Sequence, residues 1–103
     1  MTQDFFYRRQ IIEIFEIDED FLSELEHEEL IHSIRVEAVP EHVFPVEELE
    51  RIRIIQNLVK ELEVNLAGVE VILEMRDNMI RMQQQFNFIL EKLVGELKTH
   101  MKG

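Results

Sequence analysis

Residues 66–98 form a long stretch of the sequence in which nothing stops an α-helix. Gly95 is only a weak interruption, because a glycine costs a helix about 1 kcal/mol relative to alanine. Asn65 is a candidate N-cap, and Val64 and Val69 occupy the flanking positions of a hydrophobic staple. At a rise of about 1.5 Å per residue this helix would be roughly 50 Å long, too long for the rest of so short a chain to cover.

Apolar side chains along this segment follow a heptad pattern. One stripe steps by 4, 3, 4, 3 and 4 residues and consists of Met75, Met79, Met82, Phe86, Ile89 and Leu93. A second stripe overlaps it and consists of Ile72, Phe86, Leu90, Leu93 and Leu97. Such a helix needs a partner helix, and two-fold dimers are the commonest oligomers. We therefore expect a homodimer that forms a coiled coil through Met75, Met79, Met82, Phe86, Ile89, Leu90, Leu93 and Leu97. The alternatives are a helix that folds back on its own domain and a Met-rich, adaptable binding face.

The first third of the sequence predicts two short helices joined by a tight turn. Residues 9–16 carry apolar side chains at helical spacing. Asp18 is a good N-cap for the next helix, and Ile17 and Leu22 lie at staple positions around it. Two short helices separated by about two residues have the spacing of a helix-turn-helix.

Residues 32–44 change from helical spacing to alternation. Ile34, Val36 and Ala38 alternate with polar residues, which is a strand pattern, and Pro40 interrupts it. The segment predicts a small two-stranded wing, which would be marginal unless it packs on helices.

Pro45 suits the first turn of a third helix, where Glu47 and Glu48 favour the positive end of the helix dipole. The apolar face of this helix is predicted to consist of Leu49, Ile52, Ile55, Val59 and Leu62. The sequence thus divides into a winged helix-turn-helix-like domain over 1–64 and a long C-terminal helix over 65–103.

Charge narrows the classes of partner. The formal net charge is −11, with 22 acidic residues against 11 Lys and Arg. The hydrophobic share of 46% is nevertheless enough for the chain to form a core. A field of this sign repels nucleic acid and anionic membranes and favours basic partners. The basic clusters Arg8–Arg9 and Arg51–Arg53 are too small for a DNA-binding stripe, and we expect them to pair with neighbouring acids. The chain has no cysteine, no signal pattern and no apolar run near the roughly 20 residues that span a bilayer, so we expect a cytoplasmic protein.

Catalytic and metal motifs are weak. The stretch HEELIH (27–32) differs from a zinc-protease motif because His27 and His32 are five residues apart, which places them about 140° apart on a helix. There is no glycine-rich phosphate loop and no serine nucleophile elbow. We expect no enzymatic activity, no metal site and no cofactor.

The order of helix-turn-helix, wing, helix and long terminal helix resembles the MerR-like superfamily. The stretch IDEDFLSELEHEELI (17–31) is similar to the family's recognition-helix region, which ends in Gly-Leu-Ile. The stretch VFPVEELERIRIIQNLVKELEVNLAGVEVILEM (43–75) is similar to the family's third helix, its Leu-Gly bend and the start of its long helix. The resemblance implies a mainly α, MerR-like winged helix-turn-helix with a small β wing and a long C-terminal dimerisation helix.

The sequence departs from the pattern of DNA-binding members. Where they offer an Arg and a Tyr from the recognition helix, this chain has Ser23 and Glu24. A Gly-Tyr-Arg group on the wing is replaced by Pro40, Glu41 and His42. The resemblance therefore implies a retained fold without the usual DNA footprint.

Two glycine positions of the family pattern are also changed. The turn glycine is replaced by Glu16, and the glycine before Leu-Ile by Glu29. A non-glycine residue in the left-handed conformation is strained by roughly 1–2 kcal/mol, so the turn at Glu16 is either strained or altered.

The CbpM-like chaperone-modulator branch of the superfamily fits these departures. What that resemblance implies is an adaptor that binds the J domain of a DnaJ-like co-chaperone and regulates its action on Hsp70. The implied contacts are Glu19, Asp20, Glu24, His27 and Glu28. The alternatives are a MerR-like DNA-binding transcription regulator, an assembly module whose partner is itself, and acids that form only a solvated face.

Overall fold

A computed structural model describes residues 3–102, and it is mainly α-helical. The described elements, in chain order, are β1 (Phe5–Phe6), α1 (Arg8–Phe15), α2 (Glu19–His27), β2 (Phe44–Pro45), α3 (Val46–Lys60) and α4 (Leu66–Lys102). Two compact units divide the chain, Met1–Val69 and Glu70–Gly103. The expected fold class, a mainly α winged helix-turn-helix with a long C-terminal helix, is confirmed.

The turn between α1 and α2 is held by caps on both sides. Glu16 ends α1 in the left-handed conformation, with φ 53° and ψ 44°. The backbone N–H of Ile17 donates to the carbonyl of Ile12 at 3.2 Å, which closes the helix end. Asp18 is the N-cap of α2, as predicted, since its Oδ1 accepts a hydrogen bond from the backbone N–H of Phe21 at 2.8 Å.

Both positions at which the MerR-like pattern has glycine keep a left-handed backbone. Glu16 has φ 53°, and Glu29 has φ 59°. At Glu29 the bonds Glu29 N–H to Glu26 O and Leu30 N–H to Leu25 O form a Schellman motif that ends α2. The turn at Glu16 is therefore strained rather than altered, because Glu16 adopts the left-handed conformation that glycine favours.

The wing is smaller than the alternation predicts. Ile34 and Val43 form an isolated antiparallel bridge, with backbone N–H to O distances of 2.7 and 2.9 Å. The strand does not continue from Ile34 to Ala38, because the backbone turns at Ala38 (φ 69°). The two-stranded sheet instead pairs β2 with β1, a strand that the sequence pattern did not predict.

The core of unit Met1–Val69 is apolar. Its buried side chains come from all three of its helices and from the segments around them: Ile11, Ile17, Leu22, Leu25, Leu30, Ile31, Val43, Phe44, Ile52, Ile55 and Val69. The apolar face predicted for α3 is correct at Ile52 and Ile55. It is wrong at Leu62, which is 68% exposed, because α3 ends at Lys60.

Helix α4 begins and continues as the sequence predicts. The Oδ1 of Asn65 accepts a hydrogen bond from the backbone N–H of Gly68 at 2.8 Å, so Asn65 caps the helix. The helix has 37 residues and passes through Gly95, which gives a length of roughly 56 Å. Of the helices in residues 3–102, none combines the length and apolar character that a membrane crossing requires.

Candidate protein-binding surface

The excess of acidic over basic residues lies entirely in one of the two units. Residues 1–69 contain 17 acidic residues and 6 Lys or Arg, whereas residues 70–103 contain 5 of each. The full net charge of −11 therefore belongs to the helix-turn-helix unit, and the rest of the chain is formally neutral. The long-range field of the protein therefore comes mainly from that unit.

The side chain of Arg8 lies against one face of α2. Arg8, in the first turn of α1, donates from Nε to Glu19 Oε1 at 2.6 Å and from Nη2 to Ser23 Oγ at 2.9 Å. It also donates from Nη1 to Glu26. Burial lowers the pKa of Arg8, but the hydrogen bonds and charges of Glu26 and Glu19 outweigh that effect and raise it. The expectation that Arg8 pairs with acids is confirmed.

Ser23, which the resemblance aligns with a recognition-helix Arg of DNA-binding members, takes part in this arrangement. Glu19, Ser23 and Glu26 are spaced i, i+4 and i+7 and therefore lie on the same face of α2. The cation at this face is Arg8 of α1, which forms ion pairs with Glu19 and Glu26 of α2.

A second face of α2 presents acids to solvent. Asp20, Glu24 and His27 are also spaced i, i+4 and i+7, about 100° around the helix from the Arg8 contacts. All three side chains are exposed, and none forms a hydrogen bond or ion pair within residues 3–102. Glu28 is exposed just beyond the helix, as its C-cap. Four of the five residues predicted to bind a partner are thus brought together, while the fifth, Glu19, contacts Arg8.

The wing carries one arginine, Arg35, which is exposed but lies outside the positions that the resemblance aligns with a Tyr and an Arg. Pro40, Glu41 and His42 are exposed, and His42 Nδ1 lies 3.2 Å from Ser33 Oγ. The positions at which DNA-binding relatives place a Tyr and an Arg therefore carry a carboxylate and an imidazole. Neither side chain is a Lys or an Arg of the kind that neutralises DNA phosphates.

A half-buried carboxylate lies where α3 begins. Burial raises the pKa of Glu48, while a hydrogen bond from the His32 backbone and the charge of Arg51 oppose the rise. Glu48 Oε2 is buried without a hydrogen-bond partner in the part of the chain described. Arg51 Nε donates to the carbonyl of Leu30 at 2.7 Å, which ties α3 to the end of α2. The sequence places Glu48 in the first turn but does not show which way its side chain faces.

A small apolar notch lies beside the helix-turn-helix turn, and sequence reasoning missed it. It has a volume of about 260 Å³ and is lined by Glu16, Ile17, Asp18, Phe21, Val59 and Lys60. Its residues come from two segments more than thirty positions apart, so no local pattern marks it.

The apolar stripe of α4 is exposed along its length. The eight residues predicted to form a dimer are between 43% (Leu90) and 68% (Met79) exposed. Among residues 3–102, no group of three or more His, Cys, Asp or Glu side chains is placed to hold a metal ion.

Comparison with known protein families identifies the class that this fold defines. The family model for MerR helix-turn-helix regulatory proteins matches residues 6–92, which is most of the chain. The chain belongs to this family, which is regulatory and typically non-enzymatic. Searches of curated proteins and of solved structures gave no significant match.

Proposed function

We propose that this protein is a chaperone modulator of the CbpM-like kind, acting in the cytoplasm. It binds the J domain of a DnaJ-like co-chaperone and regulates the action of that co-chaperone on Hsp70. The observation that carries the proposal is the exposed acidic face of α2, in the element that a DNA-binding relative uses to read DNA.

The charge of this face selects between classes of partner. Non-specific DNA affinity depends on Lys and Arg that neutralise phosphates, and α2 has neither. Its exposed residues Asp20, Glu24 and Glu28 would repel phosphate and attract a basic protein helix. The resemblance described above implies such a helix on the J domain, where Hsp70 also binds.

The contact with Arg8 keeps these acids in place. Because Arg8 contacts both Glu19 and Glu26, α2 is fixed against α1, and its other face points outward. A surface held in its binding conformation loses little freedom on association. We therefore assign partner binding to Asp20, Glu24, His27 and Glu28, and a positioning role to Glu19.

We also propose that the protein acts as a homodimer through a coiled coil of α4. The support is the heptad stripe together with its exposure: side chains such as Met82 and Phe86 are 67% and 61% exposed. Monomeric proteins rarely leave so long an apolar stripe in water.

Calorimetric titration with the J domain of a DnaJ-like co-chaperone from the same organism tests the function. At about 0.1 M salt we expect saturable binding that weakens as salt rises to about 0.5 M, because exposed charges are screened. A Glu24→Lys, Glu28→Lys variant should lose binding. The control variant Glu70→Lys, Glu74→Lys makes the same change in charge on α4 and should bind normally.

Circular dichroism must show that both variants are folded. If no complex forms at concentrations of about 100 µM, the J-domain proposal is wrong. If the J domain binds both variants as it binds the parent, the acidic face of α2 is not the binding surface.

A DNA-binding transcription regulator is the second candidate, and the match to a family of helix-turn-helix regulators favours it. The two functions differ in retention on heparin at low salt. A DNA-binding protein is retained, because its basic surface displaces the counterions of the heparin chain. The acidic face of α2 predicts that this protein is not retained.

A further inference from the structure

The notch beside the helix-turn-helix turn has an apolar floor. Ile17 is only 8% exposed, and the side chains of Phe21 and Val59 are half-buried around it. The volume of about 260 Å³ suits one large apolar side chain rather than a cofactor or a whole peptide.

The walls of the notch are fixed before any partner arrives. Gln56 Nε2 donates to the carbonyl of Phe15 at 2.6 Å, which joins α3 to the end of α1. Asp18 Oδ1 holds the backbone N–H of Phe21 at 2.8 Å, which fixes the start of α2. Because its walls are tied by these bonds, the notch is available without rearrangement.

The rim of the notch is acidic. Glu16 and Asp18 are exposed and belong to its lining, and Lys60 is the single basic residue of that lining. Asp20, on the exposed face of α2, is two residues from Asp18. An apolar floor with an acidic rim matches an apolar side chain that has Lys or Arg neighbours.

We propose that the notch receives one apolar side chain from a basic α-helix of the binding partner, and that this contact anchors the helix against α2. The inference rests on the proposed function, because it assigns the anchor of the same complex. The acids attract and orient the helix, while the notch supplies contact that salt does not screen.

Two synthetic peptides test the anchor on the full-length protein. Both are helical and rich in Lys and Arg, and they differ only at one central position, which is Leu in one and Ala in the other. We expect the Leu peptide to bind roughly tenfold more tightly, because only its side chain fills the notch. The ratio should persist at high salt, although both affinities fall.

A matched pair of variants locates the difference. Val59→Phe places a ring in the notch and should remove the Leu preference. Val46→Phe makes the same change on the other, exposed end of α3 and should leave the preference intact. If Val59→Phe does not fold, Val59→Ala serves instead, because it widens the notch and should lower the preference.

The outcomes separate this inference from the proposed function. Equal affinity of the two peptides, or a Leu preference that survives in folded Val59→Phe, overturns the anchor, even if the J domain binds. A Leu preference that Val59→Phe removes supports the anchor. If the J domain nevertheless does not bind, only the identity of the partner is wrong.

Discussion

Glutamate at a left-handed backbone position carries a steric cost that glycine avoids. Glu16 and Glu29 have φ 53° and 59°, in the caps that end α1 and α2. The cost of roughly 1–2 kcal/mol is partly offset, because glycine loses about 0.5–1 kcal/mol more entropy on folding. Glycine at either position should therefore raise the free energy of unfolding by less than the strain alone suggests.

We expect Glu16→Gly and Glu29→Gly each to raise the free energy of unfolding by about 0.5–1 kcal/mol. Urea denaturation measures the change. Glu28→Gly is the control, because the neighbouring Glu28 has φ −81° and gains no relief from glycine. A loss of stability in Glu16→Gly would show that its side chain contributes more than its backbone costs.

The half-buried carboxylate of Glu48 gives a prediction about pH. Its pKa is raised in the folded state, first by burial, so the folded protein holds this proton more tightly than the unfolded chain does. The contribution of Glu48 to stability therefore falls as pH rises from the unfolded pKa through the folded one, and ionised Glu48 costs stability at neutral pH.

Glu48→Gln should raise the free energy of unfolding at about pH 7 and remove this fall with pH, as urea denaturation between about pH 4 and 8 would show. Glu37→Gln is the control, because Glu37 is exposed and lies outside α3, whereas the charge of Glu47 helps to raise the pKa of Glu48. If the stabilities of Glu48→Gln and the parent fall in parallel as pH rises, the Glu48 carboxylate does not cause the pH dependence of stability.

At the scale of elements, two glycines of α4 have opposite surroundings. A Cβ added at Gly68 would lie 2.8 Å from Val64 Cγ1 and 3.3 Å from the capping Oδ1 of Asn65. A Cβ added at Gly95 would meet nothing within 4 Å. Alanine favours a helix by about 1 kcal/mol over glycine at either site. Any difference in stability between the two substitutions therefore comes from the surroundings of each glycine.

Gly95→Ala should therefore stabilise α4 by about 1 kcal/mol, whereas Gly68→Ala should gain nothing or lose stability as the cap is displaced. Thermal unfolding followed by circular dichroism at the helix band distinguishes them. Equal gains in both variants would mean that Val64 and Asn65 adjust at no cost.

The features that the sequence predicted correctly are local ones. The caps Asp18 and Asn65 and the length of α4 depend on residues a few positions apart. The strand Phe5–Phe6 was missed because its partner, Phe44–Pro45, is about forty residues away and both strands have only two residues. Short strands that pair at long range leave no period to detect.

The candidate site was predictable in composition but not in geometry. The sequence shows how acidic α2 is, yet Glu19 and Asp20 are indistinguishable there. The structure separates them, because Arg8 approaches from α1 and contacts only one face of the helix. The notch is formed by two distant segments and depends on the docking of α3, which no local signal in the sequence reports.

Over the whole chain, the distribution of charge suits the two associations that we propose. The unit of residues 1–69 carries the full net charge of −11, so two copies of it repel each other and attract a basic partner. Residues 70–103 are neutral and carry the apolar stripe, so two copies of α4 can pair without repulsion between net charges.

Dimerisation through α4 gives the last prediction. Phe86 is 61% exposed in the single chain. Because it belongs to both apolar stripes, a coiled coil would bury it on each copy. Phe86→Glu places a charge in that seam twice, because a two-fold interface repeats every change. We expect the dimer Kd, from sedimentation equilibrium, to rise roughly a hundredfold or more. Gln84→Glu adds the same charge on the polar side of α4 and should leave the dimer intact. A parent protein that sediments as a monomer at about 100 µM, or equal dissociation in the two variants, would contradict the coiled coil and leave the stripe open to a different partner.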